Sequence, residues 1–366
     1  MRLKKRKDGR YLKSFVFIDE NGSKRRKYVY GYTVKELEEK YLEAIEVEKE
    51  KEKRATSPGS EITVGEWAQT WLDTYKSGVA YNTRKMYEIN VHTYIIPAMG
   101  HLHLNEVQLI HIQNLLNTYK AKGLHRTAQT IYVSLNQMFE VARKSAYIST
   151  NPTLDVERPK YRKPDKRALT ELELEIINNA PLTLKEMAFV LLLLHTGLRR
   201  GEATALTLAD VDMKSGMINI NKSLYHENNR ALVKDPKTKA GMRIVPILDE
   251  LKPALAQYLL SMNSQILFPA VSNGAYMSQT SFRRFWNKII RKITDAGITA
   301  NDITPHIFRH TYTSRLVKNG VSIKDAQYVL GHSSAKVTLD IYAHFDPKAP
   351  QNVKDLLNGS VIELVL

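Results

Sequence analysis

Pro305-His306-Ile307-Phe308-Arg309-His310, followed by Leu330-Gly331-His332 and then Asp340-Ile341-Tyr342, is the stretch on which the reading of this chain turns. A histidine, an arginine, a second histidine and a tyrosine in that order supply proton transfer, oxyanion neutralisation and a nucleophile. Together they can attack a phosphate without a metal. Taken singly, each residue is ordinary. Tyr342 is one of 19 tyrosines, and a helical tyrosine is more often half-buried packing than a nucleophile.

Working upstream, an apolar run over 187–194 ends in His195-Thr196-Gly197-Leu198-Arg199-Arg200-Gly201-Glu202. Strand-like segments follow at 217–221 and 243–248, with a turn at 239–241. A helix opens near Leu169-Thr170-Glu171-Leu172-Glu173, and helices resume after the strands. This region, 169–350, therefore reads as α+β, mostly helical with a small sheet.

Two further regions precede it. Residues 11–18 and 24–32 read as two strands around an Asp19-Glu20-Asn21-Gly22 turn. Thr33 with Glu36 then caps a charged helix running to about residue 53. A small sheet plus helix is expected over 1–55. After the Ala55-Thr56-Ser57-Pro58-Gly59-Ser60 linker, Val64, Trp67, Trp71 and Leu72 recur at helical spacing. Further helices are expected from Asn82, over about 105–122 and over 124–145, making 61–155 an all-α bundle with Trp67 and Trp71 in its core. The basic segment 156–168 joins it to the third region, and 351–366 is a tail with a strand-like end. The whole is a multidomain chain, mostly α with small β-sheets.

Bulk composition points to the partner. With 54 Lys and Arg against 38 Asp and Glu, the 366-residue chain carries a net +16. Half of that surplus lies in residues 1–30, where eleven basic residues face three acids. A second basic cluster spans 158–167. Two such clusters at domain edges favour a polyanion, since nucleic-acid affinity rests largely on neutralising phosphates. Candidate DNA contacts are Arg25, Arg26 and Lys27 on the second strand, Arg84 and Lys85 at a helix start, and Lys160, Arg162 and Lys163 in the connector. No cysteine is present, which removes disulfides, zinc ribbons and iron–sulfur clusters and agrees with a reducing compartment. No apolar run approaches the roughly 18 residues of a membrane span. A cytoplasmic protein is expected, without membrane contact.

The residues of the third region resemble the tyrosine recombinase, or phage integrase, family. The resemblance rests on Arg199 with Glu202 and Leu206, on Pro236-Lys237-Thr238-Lys239 before Arg243-Ile244-Val245-Pro246, on His306-Ile307-Phe308-Arg309, on Leu330-Gly331-His332, and on Tyr342 ten residues beyond that histidine. The upstream regions are similar to the arm-binding and core-binding domains of long integrases of phage or conjugative-transposon type. The resemblance implies that Tyr342 attacks the scissile phosphorus to form a 3′-phosphotyrosyl link. It implies that Arg199 and Arg309 bind the non-bridging oxygens, that Lys237 protonates the departing 5′-oxygen, and that His306 and His332 handle protons and support the phosphate. Lys239 lies two residues from Lys237 and competes for its role. Glu202 orients an arginine. No metal, ATP or other cofactor is implied, and the Walker motif GxxxxGK[ST] does not occur.

Other chemistries fit less well. His306 and His310 have the spacing of a zinc-protease helix, but Ile307 stands where the glutamate base is required. A DNA-binding protein without activity would leave the complete set unused. A type IB topoisomerase shares the chemistry, and the basic N-terminal module favours recombination at defined sites. The implied partners are double-stranded DNA at core and arm sites, four protomers on two such sites, and an excisionase or host DNA-bending protein. The implied setting is the nucleoid of a bacterial host. The apolar residues 361–366 are expected either to fold on their own domain or to add to a neighbouring protomer's sheet.

Overall fold

The computed structural model describes residues 5–18, 23–55, 58–162, 167–236, 239–299, 302–332 and 334. The expected turn at 19–22, Lys163, Lys237, Tyr342 and the tail 351–366 lie outside them. The contacts divide the chain into two compact units, Met1–Lys163 and Pro164–Leu366.

In the first unit, β1 (Tyr11–Ile18) and β2 (Lys24–Gly31) pair antiparallel, from Tyr11 opposite Gly31 to Ile18 opposite Lys24. Helix α1 (Val34–Ala55) packs across them through the fully buried Leu37. Thr33 does cap this helix, accepting from Glu36 N at 3.1 Å, while the Glu36 carboxylate reaches back one residue further, to Tyr32 N at 2.9 Å. Helix α2 (Val64–Tyr75) starts in a full capping box between Thr63 and Glu66. It buries Trp67 and Trp71, and the Trp67 indole donates to the Met138 carbonyl at 3.1 Å.

Helix α3 (Tyr81–Ile89) passes through a π-helical segment, Asn90–Ile95, into α4 (Ile96–Met99). Within that segment the buried Asn90 amide donates to the Thr130 carbonyl and to Ser134 Oγ, at 3.0 and 2.8 Å, on α6 (His125–Lys144). The helix expected from 105 is shorter. Glu106 turns back to accept from His103 N at 2.9 Å, closing a 3₁₀ turn at Leu104–Glu106, and α5 (Leu109–Ala121) begins after it.

The second unit is built round α8 (Leu184–Thr196), whose residues are buried on nearly every side, as an apolar run without a polar stripe requires. Helix α7 (Glu171–Asn179) precedes it, capped by Thr170, and the short α9 (Arg200–Ala205) follows. A three-stranded antiparallel sheet holds β3 (Val211–Asp212), β4 (Met217–Ile220) and β7 (Arg243–Pro246) in the order β3-β4-β7. Between β4 and β7 stands a separate hairpin, β5 (Ser223–Glu227) and β6 (Arg230–Lys234), which the sequence reading did not anticipate. Its turn is Asn228-Asn229, with φ of 46° and 65°. Asparagine tolerates this left-handed region, so the pair was a usable turn signal between strands too polar to stand out.

Helices α10 (Lys252–Ser261), α11 (Gln279–Asp295), α12 (Pro305–Lys318) and α13 (Ile323–Leu330) complete the unit. Phe282, Trp286, Ile289 and Ile293 form the buried face of α11, and Phe189 of α8 meets Phe268, Phe282, Phe285 and Trp286 at ring separations of 5.0–6.3 Å. This core fixes α8 and α12, and the candidate site sits at the end of α8 and the first turns of α12. Among the described residues no helix is long and apolar enough to cross a membrane.

Candidate active site

The site begins where α8 ends. Gly197 closes that helix at φ 63°, and a Cβ there would lie 2.5 Å from the Tyr312 ring, so the turn requires glycine on both counts. The turn delivers two groups. The Gly197 carbonyl accepts from Arg309 Nη1 at 2.7 Å, and Arg199, two residues on, becomes the N-cap of α9. Glu202 holds Arg199 twice, accepting from its backbone N–H at 2.9 Å and from its Nη1 at 2.8 Å.

The C-terminus of α13 gathers the arginines. The last carbonyls of a helix lack intrahelical donors and carry the negative end of its dipole. Here three consecutive carbonyls each accept from a different guanidinium: Val329 from Arg243 Nε at 2.7 Å, Leu330 from Arg309 Nη2 at 2.6 Å, and Gly331 from Arg199 Nη2 at 3.0 Å. Gly331 caps the helix at φ 62°, and the buried His332 follows, its backbone N–H bonded to the Gln327 carbonyl at 3.1 Å. Arg199, Arg309 and His332 are thus fixed to one helix end, which the sequence places more than a hundred residues from Arg199.

Glu202 is buried among these charges. Burial raises its pKa, but the hydrogen bond from Arg243 and the charges of Arg243 and Arg199 outweigh this and hold the carboxyl below the usual glutamate range. Three guanidiniums against one carboxylate leave two positive charges in excess. Burial pushes the Arg309 guanidinium down to about 9, with Arg199 adding to the effect and Glu202 opposing it, so it stays charged at neutral pH. The Arg199 side chain remains 43% exposed, and its charge is open to an incoming anion.

Of the other expected residues, His306 lies in the first turn of α12, one turn before Arg309, and is exposed. Its ring meets that of the buried His310 edge-on at 4.7 Å. Lys239 opens a 3₁₀ turn, Lys239–Gly241, just before β7. Arg243 was read from sequence only as the start of a strand. The structure buries it, with Nη2 donating to Glu202 Oε2 at 2.9 Å and Nη1 to the Gly241 carbonyl at 3.2 Å. A charged residue at an inward strand position was the available signal. Among the expected DNA contacts, Lys27 is paired with Glu48 at 2.8 Å, and Arg84 with Asp73 and Glu88 at 3.2 and 2.9 Å. Lys85 lies 5.8 Å from the Tyr81 ring centroid, while Arg25, Arg26, Lys160 and Arg162 are exposed.

Gly331→Ala tests this geometry. A Cβ there would lie 2.8 Å from Arg243 Nη1 and 3.0 Å from the Ala240 carbonyl. Left-handed backbone alone costs an alanine about 1–2 kcal/mol. The variant is expected to melt several degrees lower in thermal melting, because the guanidiniums anchored at this turn must shift.

An excess of fixed guanidinium charge at a helix end, flanked by a buried histidine, defines a site for oxyanion chemistry. The phage integrase family matches residues 167–349, the phage integrase N-terminal SAM-like domain matches residues 63–119, and the chain belongs to the phage integrase family of tyrosine recombinases. It is 26% identical over 380 residues to a tyrosine recombinase XerC-like protein of Caldanaerobacter subterraneus subsp. tengcongensis, covering 94% of each chain. The transposase from transposon Tn916 of Enterococcus faecalis is 29% identical over 166 residues, 42% of this chain and 41% of that one. Among solved structures, the Tn1549 transposon integrase in complex with transposon right end DNA is 25% identical, with a TM-score of 0.68 over 81% of this chain and 100% of that one. A lambda integrase tetramer bound to a Holliday junction shares the fold at 20% identity, with a TM-score of 0.63 over 91% and 96% of the two chains.

Proposed function

We propose that this chain is a site-specific DNA recombinase that integrates and excises a mobile element by cutting and rejoining DNA through a 3′-phosphotyrosyl link on Tyr342. The observation that carries this reading is the anchoring of Arg243, Arg309 and Arg199 on the successive carbonyls of Val329, Leu330 and the capping Gly331 at the end of α13, immediately before His332. Charge accumulates on the non-bridging oxygens as the tyrosine oxygen attacks. Guanidiniums already fixed by the helix end need no reorganisation to meet it. Arg199, the exposed member, contacts the phosphate directly. Arg309, held by the Gly197 and Leu330 carbonyls, binds a non-bridging oxygen with it.

Lys237 delivers a proton to the leaving 5′-oxygen, with Lys239 as its competitor, and His306 and His332 complete the proton handling. Because the phosphotyrosyl bond stores the energy of the broken diester, religation needs no ATP. Strand exchange joins two duplexes, so four protomers act on two DNA sites; the tetrameric assembly of lambda integrase on a Holliday junction supports this. An excisionase or a DNA-bending protein of the host sets direction, and the reaction takes place on DNA inside the bacterial cell.

The test uses a nicked duplex covering the segment that the protein protects in footprinting. Once cleaved, it loses a short fragment and cannot be resealed. An SDS-resistant protein–DNA adduct is expected without added metal or nucleotide; protection without any adduct would reject the enzymatic reading.

We assign arm-site binding to residues 1–55. Lys24, Arg25 and Arg26 are exposed on β2, while Arg6 and Arg10 lie over the Tyr30 ring at 5.7 and 4.9 Å. Deleting residues 1–55 is expected to lower affinity for distal arm sites by at least about 100-fold, since several phosphate contacts are lost together. Core-site binding and adduct formation should remain. Arm binding that survives the deletion in a gel-shift titration would reassign the module.

A further inference from the structure

We infer that Arg243 is a positioning residue for the cleavage step, tying together three elements of the site without touching the phosphate itself. The inference rests on the recombinase reading above, and its test separates the two.

Four hydrogen bonds leave this guanidinium, which has five N–H donors. Nε donates to Val329, the first of the three α13 carbonyls bound by arginines. Nη2 donates to Glu202 Oε2, and Nη1 lies 3.3 Å from Glu202 Oε1, the oxygen that also holds Arg199 Nη1. Nη1 further donates to the Gly241 carbonyl, in the turn four residues after Lys237 in sequence. One guanidinium therefore connects the start of α9, the end of α13 and the segment leading from the candidate lysine. Its side chain is fully buried, with no exposed surface, so it cannot serve as a DNA contact.

Burying an arginine is costly, and a buried ion pair is a weak source of net stability because desolvation offsets most of the attraction. The gain lies in orientation. Glu202 has two oxygens and serves two arginines. With Arg243 in place the carboxylate plane is fixed, and Arg199 is held at one geometry toward the exposed side. With Arg243 altered, Glu202 is free to rotate onto Arg199, and the end of α13 loses the donor that sets its first free carbonyl. A displacement of about 1 Å at a reacting group costs on the order of 100-fold in rate. Lysine cannot replace it, because one ammonium does not span three partners in a plane.

The test compares full-length wild type with Arg243→Lys on the footprinted nicked duplex, measuring dissociation constant, single-turnover adduct formation and thermal melting. The expected result is an adduct rate about 100-fold lower, with a dissociation constant within threefold of wild type and the protein folded at the assay temperature. If Arg243→Lys does not fold, Gly331→Ala, which presses on Arg243 Nη1 while keeping the residue, is expected to give the same split between rate and binding. A wild-type adduct rate in the folded variant would overturn the inference, as would a rate that falls only in proportion to lost binding or lost folded protein. Absence of an adduct with wild type would instead count against the recombinase reading itself.

Discussion

Replacing Tyr342 by phenylalanine is expected to abolish the covalent protein–DNA adduct while leaving DNA binding unchanged. Phenylalanine keeps the ring and removes the single oxygen that would attack phosphorus. Removing a nucleophile from a concerted site costs on the order of 10⁶-fold in rate, which places residual adduct below detection. Binding rests on phosphate neutralisation by many basic side chains, so the loss of one neutral hydroxyl leaves affinity within about threefold. The effect should be independent of added magnesium or nucleotide. A gel-shift titration beside an SDS gel on the same nicked duplex reads both quantities, and an undiminished adduct would remove Tyr342 from the mechanism.

Arg309→Lys is expected to cut adduct formation by about 100- to 1,000-fold, the usual cost of losing one fixed oxyanion donor. Two features make this substitution severe. Arg309 spans from Gly197 on one side to Leu330 on the other, at 2.7 and 2.6 Å, and a single ammonium cannot bridge both in the same plane. Burial already brings the guanidinium down to about 9. A lysine starts from about 10.4, and the same burial would lower it toward neutrality. The defect should therefore deepen as pH rises from about 6 to 8, as the substituted ammonium loses its proton, whereas Arg309 of the wild type stays protonated through that range. Single-turnover rates across those pH values, normalised to wild type, check the sign. A defect that shrinks toward pH 8 would contradict the electrostatic account.

The parts of the site that the sequence revealed are those whose residue type and spacing carry the chemistry by themselves. Arg199 with Glu202, Arg309 and Gly331-His332 were expected from motifs that resemble those of the family, and the structure brings them to one helix end. Gly197 and Gly331 adopt left-handed backbone where they cap their helices. Arg243 was passed over because its meaning depends on Glu202, 41 residues earlier, and on a helix end 86 residues later. The inward strand position of Arg243 hints at burial, but nothing local says which groups share its guanidinium.

Surface charge was legible in sign but not in use. Lys27 and Arg84 stand in basic runs, yet Glu48 and Asp73, distant in sequence, are already paired with them. The π-helical segment at Asn90–Ile95 escaped detection because its apolar spacing still resembles a helix. The β5–β6 hairpin escaped because both its faces are partly polar, so alternation is weak. The mostly helical character with small sheets was readable from the helical spacing of Trp67 and Trp71 and from the long apolar run of α8.

If Tyr342 is the nucleophile, the cleaved DNA strand ends covalently bound to its phenolic oxygen. Trapping the adduct on the nicked duplex, digesting it with trypsin and sequencing the DNA-linked peptide by mass spectrometry tests this directly. The expected peptide is residues 337–348, whose single tyrosine is Tyr342, carrying a 3′-phosphodiester to the cleaved strand. A linkage on any other peptide, or a 5′-phosphate at the modified residue, would contradict the account.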